Sequence, residues 1–236
     1  MSLQDCNGMK TIGLIGGMSW KSSALYYSII NELVQKRFGG LHSCKILMYS
    51  ADFAEIDKMQ NDGKWDELSH IMADIGLKLQ RGGAECIAIC CNTMHKAAEE
   101  LESKIAIPLI HIADTTGNRI KQSNLSKVGL LGTQFTMEQD FLKKRIASKY
   151  GIDVIIPSKQ EREFIHSIIY SELVVGLINE ASRQKFKGII QNLCELGAEG
   201  IILGCTEFPL LISSEDSLIP LFNTTQIHAE EIVNFI

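Results

Sequence analysis

Three short motifs occur twice in this chain, in the same order in both halves. The motif pairs begin at Lys10 and Lys127, at Gly83 and Gly197, and at Pro108 and Pro220. The first pair is a glycine-bearing apolar run, the second is Gly-Ala-Glu, and the third is Pro-Leu followed by a polar residue and two threonines. An ordered repeat of this kind indicates two copies of one structural unit. The sequence therefore predicts two homologous lobes.

Short apolar, β-branched runs alternate with longer segments of helical periodicity in each half. This alternation is typical of a parallel sheet covered by helices, so the predicted class is α/β with mainly parallel sheets. The predicted strands are 11–15, 45–49, 86–90, 109–112, 128–131, 153–156, 201–203 and 219–222, and the predicted helices are 21–37, 65–81, 93–103, 135–150, 183–196 and 226–235. Because ligands of open α/β sheets bind beyond the carboxyl ends of the strands, we expect an active site in a cleft between two pseudo-symmetric lobes.

Composition restricts the class of protein. The 236 residues are 45% hydrophobic and 22% charged, with a net charge of −5, which is typical of a soluble globular protein. The absence of a long basic block argues against nucleic acid or an anionic membrane surface as a partner. No apolar run reaches the length of about 18 residues that predicts a membrane span, and residues 1–8, which lack the features of a secretory signal, are interpreted as a leader or a cloning scar.

The chain contains seven cysteines, without a CxxC pair and without the spacing of zinc ligands. Since nothing marks the chain as secreted, we interpret them as reduced thiols and expect a cytoplasmic protein with no metal site. Cys86, Cys90 and Cys194 are expected to be small apolar core residues.

Cys91 and Cys205 differ from the other cysteines because the repeat relates them. Each lies eight residues after the glycine of its Gly-Ala-Glu motif, Gly83 or Gly197, at the end of a predicted strand. A thiol beside the amides of a helix start, where Thr93 is the expected N-cap, is stabilised as a thiolate. Two thiols opposed across a cleft suit the inversion of a carbon acid, because one removes the α-proton while the other delivers a proton to the opposite face.

Six short motifs stand in a fixed order along the chain. They are GLIGGMSW at 13–20, LHS at 41–43, DF at 52–53 followed by Ile56 and Gln60, CNTMH at 91–95, HIAD at 111–114 and GCTE at 204–207. This ordered set resembles the aspartate/glutamate racemase superfamily, and within it the cofactor-independent aspartate racemases and the broad-specificity amino-acid racemases. The resemblance extends from Lys10 to the last residue of the sequence.

The resemblance implies a catalytic pair at Cys91 and Cys205, two pseudo-symmetric α/β lobes with the C-terminal tail returning to the first, and a homodimer. The lobes implied are 1–113 plus 208–236 for the first and 114–207 for the second. No cofactor is implied, and the partner is a small amino-acid substrate.

Three positions refine the resemblance. Glutamate racemases of the cell-wall pathway open with Asp-Ser-Gly and carry His-Tyr-Pro after the second Cys-Thr, whereas this chain has Gly-Met-Ser and, from Glu207, Glu-Phe-Pro. That difference disfavours the glutamate-racemase branch. Relatives with Thr in place of the first cysteine act mainly on L-substrates, so Cys91 predicts reversible racemisation. Leu177 stands where many aspartate racemases have Lys, which argues against strict aspartate specificity.

The predicted function is a cofactor-independent racemase acting on aspartate, glutamate or a related α-amino acid. The expected substrate-binding residues are Met18, Ser19, Gln60, Asn92, Thr93, Thr133, Thr206 and Glu207. His95 lies one helical turn after Cys91, and two roles stay open for it, tuning of the thiol or pairing with local polar groups. A hydantoin racemase or a maleate isomerase on the same scaffold also stays open, as does a two-lobed small-molecule-binding protein without catalysis.

Overall fold

The computed structural model describes residues 8–236. Residues 1–7, which make up most of the segment interpreted as a leader, lie outside the described residues. The chain divides into two compact units. Unit 1 comprises the residues up to His111 together with His228–Ile236, and unit 2 comprises Ile112–Ile227.

Unit 1 is a three-stranded parallel sheet with helices packed against it. In chain order it contains β1 (Ile12–Gly16), α1 (Trp20–Phe38), β2 (Ile46–Ser50), α2 (Phe53–Asn61), α3 (Trp65–Arg81), β3 (Cys86–Ile89), a 3-10 helix (Thr93–Ala97) and α4 (Ala98–Lys104). The strand order is β2-β1-β3, and both pairings are parallel. Residues 228–236 complete the unit.

The central strand of unit 1 is buried along its whole length, as expected where helices cover both faces of a parallel sheet. Ile12 and Leu14 pack on one face with Tyr26 and other residues of α1. Ile15 packs on the other face with apolar residues of α3. Strand β2, at the edge of the sheet, is half-buried to exposed.

Unit 2 is a four-stranded parallel sheet with helices packed against it. In chain order it contains α5 (Ile112–Gln122), β4 (Lys127–Gly132), α6 (Gln134–Glu138), α7 (Asp140–Tyr150), β5 (Asp153–Ile155), α8 (Lys159–Ile168), a π-helix (Ile169–Leu173), α9 (Glu180–Glu195), β6 (Ile201–Gly204), α10 (Phe208–Leu211), a 3-10 turn (Ser214–Asp216), β7 (Leu221–Asn223) and the start of α11 (Thr224–Phe235). The strand order is β5-β4-β6-β7, with every pairing parallel. The predicted α/β class with parallel sheets is confirmed.

The repeated Gly-Ala-Glu motif has the same structure in both units. Gly83 and Gly197 follow α3 and α9 and have positive φ angles of 99° and 91°, a backbone conformation that favours glycine. The glutamate of each motif then accepts a hydrogen bond from a backbone amide at the start of the central strand. These bonds are Thr11 N to Glu85 Oε2 and Ser126 N to Glu199 Oε2, each at 2.7 Å.

The repeated Pro-Leu motif shows where the two units diverge. Backbone amides of β3 and β6 donate to the carbonyl oxygens of Pro108 and Pro220. In unit 2 this pairing continues as β7, whereas in unit 1 it is an isolated parallel bridge at Leu109. The predicted strand 109–112 is therefore wrong, because helix α5 already begins at Ile112.

The predicted lobe boundaries also need correction. The sequence prediction placed 208–236 with the first lobe, but residues 208–227 lie in unit 2. Strand β7 pairs with β6, and the aromatic side chains of Phe208 and Phe222 are buried in the core of unit 2. The burial of these two side chains assigns residues 208–227 to unit 2. The order of segments along the sequence does not reveal this burial.

Several helices differ from their predictions. The predicted helix 93–103 is a 3-10 helix followed by α4, and the predicted helix 135–150 is broken at Gln139. The extended backbone of Gln139 (φ −83°, ψ 155°) separates α6 from α7. Helices α2, α5, α8 and α10 are missing from the sequence prediction, since they span only 4–11 residues and short helical patterns are hard to separate from loops.

Candidate active site

A carboxylate lies beside the thiol of Cys205. Cys205 follows the last residue of β6, and its Sγ donates to Glu207 Oε2 at 3.0 Å. The hydroxyl of Thr206 donates to the same oxygen at 2.6 Å. All three residues are buried. The carboxylate can therefore accept the thiol proton directly. Glu207 is placed against Cys205, and its predicted contact with substrate stays a prediction.

The loop of Cys91 is organised around a histidine. Cys91 lies two residues after β3 and is half-buried. Its carbonyl oxygen is 2.8 Å from Nδ1 of His95. Since a carbonyl only accepts, Nδ1 carries the proton in this contact. The position preceding the 3-10 helix is Asn92, and Thr93 is the first helical residue rather than the N-cap that the sequence suggested.

Four other cysteines of the described chain differ from this pair. Burial raises the pKa of the Cys44 thiol to about 11 and that of Cys86 to about 12. Burial also raises the pKa of Cys90 and, on α9, of Cys194. Cys86 and Cys90 are core residues, as expected, whereas Cys194 is only half-buried. These thiols stay protonated near neutral pH, so they are poorly suited to proton abstraction.

A pair of buried hydroxyl groups follows the central strand of each sheet. In unit 1, Ser19 is the N-cap of α1, and its Oγ accepts from Ser22 N at 3.4 Å and lies 3.2 Å from Ser22 Oγ. In unit 2, Thr133 is the N-cap of α6, and its Oγ1 accepts from Thr136 N at 3.2 Å and lies 3.1 Å from Thr136 Oγ1. The repeat thus places equivalent hydroxyl pairs at the strand ends, where α/β proteins bind ligands.

The glycines after β1 permit a close approach of two backbone segments. Gly17 has a φ of 93°, and a Cβ at this position would collide with the backbone of Ala51. Its amide donates to Ser23 Oγ at 2.8 Å. This packing accounts for the glycine at position 17. Met18, the next residue, is buried.

Gln60 lies at the C-terminal end of α2 and is buried. Its Nε2 donates to Sδ of Met94 at 3.0 Å, which brings the end of α2 to the helix that follows Cys91. The predicted site residues form two groups. They are Met18, Ser19, Gln60, Cys91, Asn92, Thr93 and His95 in unit 1, and Thr133, Cys205, Thr206 and Glu207 in unit 2.

Two residues near the 3-10 helix that follows Cys91 are missing from the sequence prediction. The hydroxyl of Tyr26 lies 2.9 Å from Nδ1 of His228, and the His228 ring packs 5.8 Å from that of His95. Burial lowers the pKa of His228 to about 4, so this imidazole is neutral near neutral pH. The only sign of this pair in the sequence is a histidine among apolar residues of α11.

The described side chains and helices bear on metal binding and on membrane insertion. Within 8–236, no group of three or more His, Cys, Asp or Glu side chains is placed to hold a metal ion. Among the described helices, none combines the length and the apolar character needed to cross a membrane.

Known proteins resemble this chain over nearly its whole length. Residues 15–232 match a family model described as Asp/Glu/Hydantoin racemase. A crystal structure from Yersinia pestis, described as a "putative Asp/Glu Racemase", is 46% identical with a TM-score of 0.91, and the match covers 96% of this chain and 99% of that chain. An aspartate racemase homologue from Pyrococcus horikoshii OT3 is 32% identical with a TM-score of 0.84, over the same shares. The broad specificity amino-acid racemase RacX of Bacillus subtilis (strain 168) is 24% identical over 229 residues, which are 94% of this chain and 96% of the relative.

Proposed function

We infer that this protein, which belongs to the Asp/Glu/Hydantoin racemase family, inverts the α-carbon of aspartate, glutamate or a related amino acid. Its family makes it a racemase, and therefore an isomerase. The chemistry we propose is proton transfer by Cys91 and Cys205, without a cofactor.

The observation that carries this proposal is the hydrogen bond between Cys205 Sγ and Glu207 Oε2 at 3.0 Å. An α-proton of an amino acid is removed only by a base, and the nucleophilic or basic form of cysteine is the thiolate. A carboxylate in contact with the thiol provides an acceptor for its proton. Thr206, which donates to the same oxygen at 2.6 Å, fixes that carboxylate.

We propose the following proton transfers for the L-to-D direction. Glu207 takes the thiol proton of Cys205, and the resulting thiolate takes the α-proton from one face of the substrate. The electron pair of the broken C–H bond stays on the α-carbon, and the thiol of Cys91 donates a proton to the opposite face. One proton has then moved from Cys91 to Glu207, and exchange with water restores both groups. The reverse direction uses the same groups in the opposite order.

The substrate's α-carboxylate and amine need polar groups close to the strand ends. The proposed groups are the Met18-Ser19 loop, Asn92, Thr93, Thr133 and Thr206, with Gln60 reaching the substrate side chain. Support comes from their burial: Gln60 is buried near the end of α2, and the other proposed groups are buried just after the carboxyl ends of parallel strands. Buried hydroxyl and amide groups offer both donors and acceptors, which suit a zwitterionic ligand.

We expect the protein to accept a broad range of amino-acid substrates. Leu177, at 59% exposed, offers no charge for a side-chain carboxylate, and one relative is named for broad specificity. We therefore propose a racemase that is not restricted to aspartate. A hydantoin racemase and a non-catalytic binding protein predict different results in the experiment below.

The experiment is incubation of L- and D-amino acids with the protein in heavy water, followed by proton NMR. Loss of the α-proton signal from a substrate, with appearance of its enantiomer on a chiral column, supports the proposal. A silent amino-acid panel with exchange at a hydantoin would indicate a hydantoin racemase. Ligand-induced stabilisation without exchange would indicate a binding protein. Activity that is lost on dialysis and restored by pyridoxal phosphate would contradict cofactor independence.

We also propose a homodimer located in the cytoplasm. Trp20, the first residue of α1, is 67% exposed, and Leu41 is fully exposed. Exposed large apolar side chains favour association. Light scattering of the purified protein tests the oligomeric state, and a monomeric mass at micromolar concentration would contradict the dimer.

A further inference from the structure

Three of the six histidines of the chain lie together in unit 1. His95, His111 and His228 are at most 3% exposed, and the ring centroid of His95 lies 4.6 Å from that of His111 and 5.8 Å from that of His228. Tyr26 of α1 meets His228 edge-on, with centroids 5.6 Å apart. We call these four residues the imidazole network. The other three histidines are exposed or half-buried.

The hydrogen bonds of His228 fix its tautomer. Its Nε2 lies 2.7 Å from the carbonyl oxygen of Ile110, which only accepts, so Nε2 carries a proton. In the neutral ring Nδ1 is then an acceptor, and the hydroxyl of Tyr26 donates to it at 2.9 Å. Burial keeps the ring neutral by lowering its pKa to about 4. Tyr26 thus orients His228, and the hydrogen bond to Ile110 holds His228 against the segment that pairs with β3.

The other end of the network reaches Cys91. The His95 ring packs against both His111 and His228, and its Nδ1 donates to the Cys91 carbonyl at 2.8 Å. A hydrogen bond to this carbonyl fixes the peptide plane that follows Cys91. The direction of the Cys91 side chain depends on that backbone.

A purely structural role does not require this choice of residues. Burying a polar ring costs free energy that its hydrogen bonds offset only in part, whereas apolar side chains of similar size would fill the same volume without that cost. Unit 2 fills its core mainly with Ile, Leu and Phe. Packing a core with this network therefore costs more free energy than packing it with apolar side chains. The network also ends at the backbone of Cys91, a predicted acid/base residue.

We propose that the imidazole network positions Cys91 for proton transfer, with Tyr26 and His228 acting through His95. This inference rests on the proposed function, because the transfer is that of the racemase reaction. None of Tyr26, His111 and His228 touches the reacting atoms in the proposed transfer. They are positioning residues, and His95 is the link that contacts Cys91.

The first test replaces single side chains of the network. Tyr26→Phe removes only the hydroxyl that orients His228, and Tyr27→Phe, at an exposed position of the same helix, is its matched control. His95→Leu removes the donor to Cys91, whereas His95→Asn keeps an amide N–H near the place of Nδ1. Since misplacing a reacting group by 1 Å can cost about 100-fold in rate, we expect Tyr26→Phe and His95→Leu to lower kcat for α-proton exchange of the D-enantiomer by about tenfold. KM should stay within about twofold, and His95→Asn should recover most of the rate.

The second test does not require racemase activity. The rates of alkylation of Cys91 and Cys205 by iodoacetamide are measured by peptide mass spectrometry, with Cys205 as the internal reference. We expect Tyr26→Phe and His95→Leu to change the Cys91 to Cys205 ratio by at least about threefold, and Tyr27→Phe and His95→Asn to leave it unchanged. If the unchanged protein exchanges no amino acid, the proposed function fails while this test still decides the network. Equal ratios in all four variants, with folding retained, would show that the network is only part of the core.

Discussion

The loops of Cys91 and Cys205 occupy equivalent places in the two repeats, but their side chains differ. Cys205 has a carboxylate two residues later, and Glu207 Oε2 lies 3.0 Å from its Sγ. The corresponding position after Cys91 is Thr93, and a histidine four residues later contacts the Cys91 carbonyl at 2.8 Å. Both repeats thus place a thiol just after a strand, but the groups around each thiol and the helices that follow differ. The two thiols are therefore expected to perform unequal parts of one reaction.

Thermodynamics limits where this inequality can be observed. Enantiomers have equal free energies in water, so the equilibrium constant of racemisation is unity. The values of kcat/KM for the two directions must then be equal, in the unchanged protein and in every variant. The separate contributions of the two thiols are visible only in α-proton exchange measured for each enantiomer, or in the way kcat and KM change together.

The largest expected effect comes from removing either thiol. We expect Cys91→Ser to abolish deuterium wash-in from the D-enantiomer while sparing part of that from the L-enantiomer, and Cys205→Ser to do the reverse. Full racemisation should fall by about 1,000-fold or more in both variants, because each inversion needs an acid opposite the base. Proton NMR in heavy water, recorded separately for each enantiomer, measures this.

Cys194→Ser is the matched control, since it removes a half-buried thiol of unit 2 that is not part of the proposed site. It should leave both wash-in rates unchanged. Near-normal rates for both enantiomers in Cys91→Ser or in Cys205→Ser would mean that the replaced thiol is structural and that the two-base mechanism is wrong.

The next effect concerns the carboxylate that distinguishes the Cys205 loop. Glu207→Gln keeps a side chain of the same shape but cannot take the thiol proton, so we expect wash-in from the L-enantiomer to fall by about 100-fold, within the range of general base catalysis. The remaining rate should rise with pH, because Cys205 must then lose its proton to solvent. Wash-in from the D-enantiomer should fall much less. Equal losses for both enantiomers would place Glu207 in substrate binding, as the sequence suggested.

The sequence revealed the backbone of the repeat better than its side-chain contacts. The Gly-Ala-Glu pair gives Cys91 and Cys205 as candidates, because each cysteine lies eight residues after a glycine of positive φ that precedes its strand. The direction of the Glu207 carboxylate depends on the turn into α10, which the sequence pattern does not show. Pairing of Tyr26 with His228 joins segments that lie far apart in the chain, so no local pattern could predict it.

The apolar run at 109–112 shows a related limit. A short apolar segment is compatible with a strand or with the start of a helix. The structure resolves it as a single bridge at Leu109 followed by α5. The comparable run in unit 2 becomes strand β7, so similar sequences in the two repeats have different local structures.

A third prediction compares the two units on acidification. The pKa of His228 in unit 1 is lowered by burial from 6.5 to about 4. Between these values the unfolded chain binds a proton that the folded chain does not, so stability falls as the pH is lowered from about 6.5 to about 4, by about 3 kcal/mol in total, and levels off below. Urea unfolding at several pH values measures this loss, and His228→Gln should reduce the slope in this window.

Unit 2 should respond at lower pH. Hydrogen bonds from Arg183 lower the pKa of Asp216 from 3.8 to about 2. A carboxyl group with a lowered pKa contributes stability above its unfolded pKa and loses it as the pH falls through its folded pKa, here between about 3.8 and 2. Amide exchange at pH 5 should therefore increase first in peptides of unit 1. Earlier opening of unit 2 would contradict the assignment of the acid-sensitive group to His228.

The smallest expected effect compares the two glutamates of the repeated motif. Glu85 Oε2 accepts one backbone amide, that of Thr11, whereas Glu199 Oε2 accepts the amides of Ser126 and Lys127 and the hydroxyl of Ser126. Both side chains are exposed, and water replaces much of what they provide, so each replacement by Ala should lower the melting temperature by only about 1–3 °C. Glu199→Ala should have the larger effect, because more donors lose their acceptor.

The backbone amides of Ser126 and Lys127 also lower the pKa of Glu199, so its contribution should be present at neutral pH and disappear as the pH falls below the ordinary range of a glutamate. Thermal unfolding of both variants at pH 7 and at pH 4 measures the difference. A larger loss for Glu85→Ala at pH 7 would show that the amide contacts do not set the stability of these two turns.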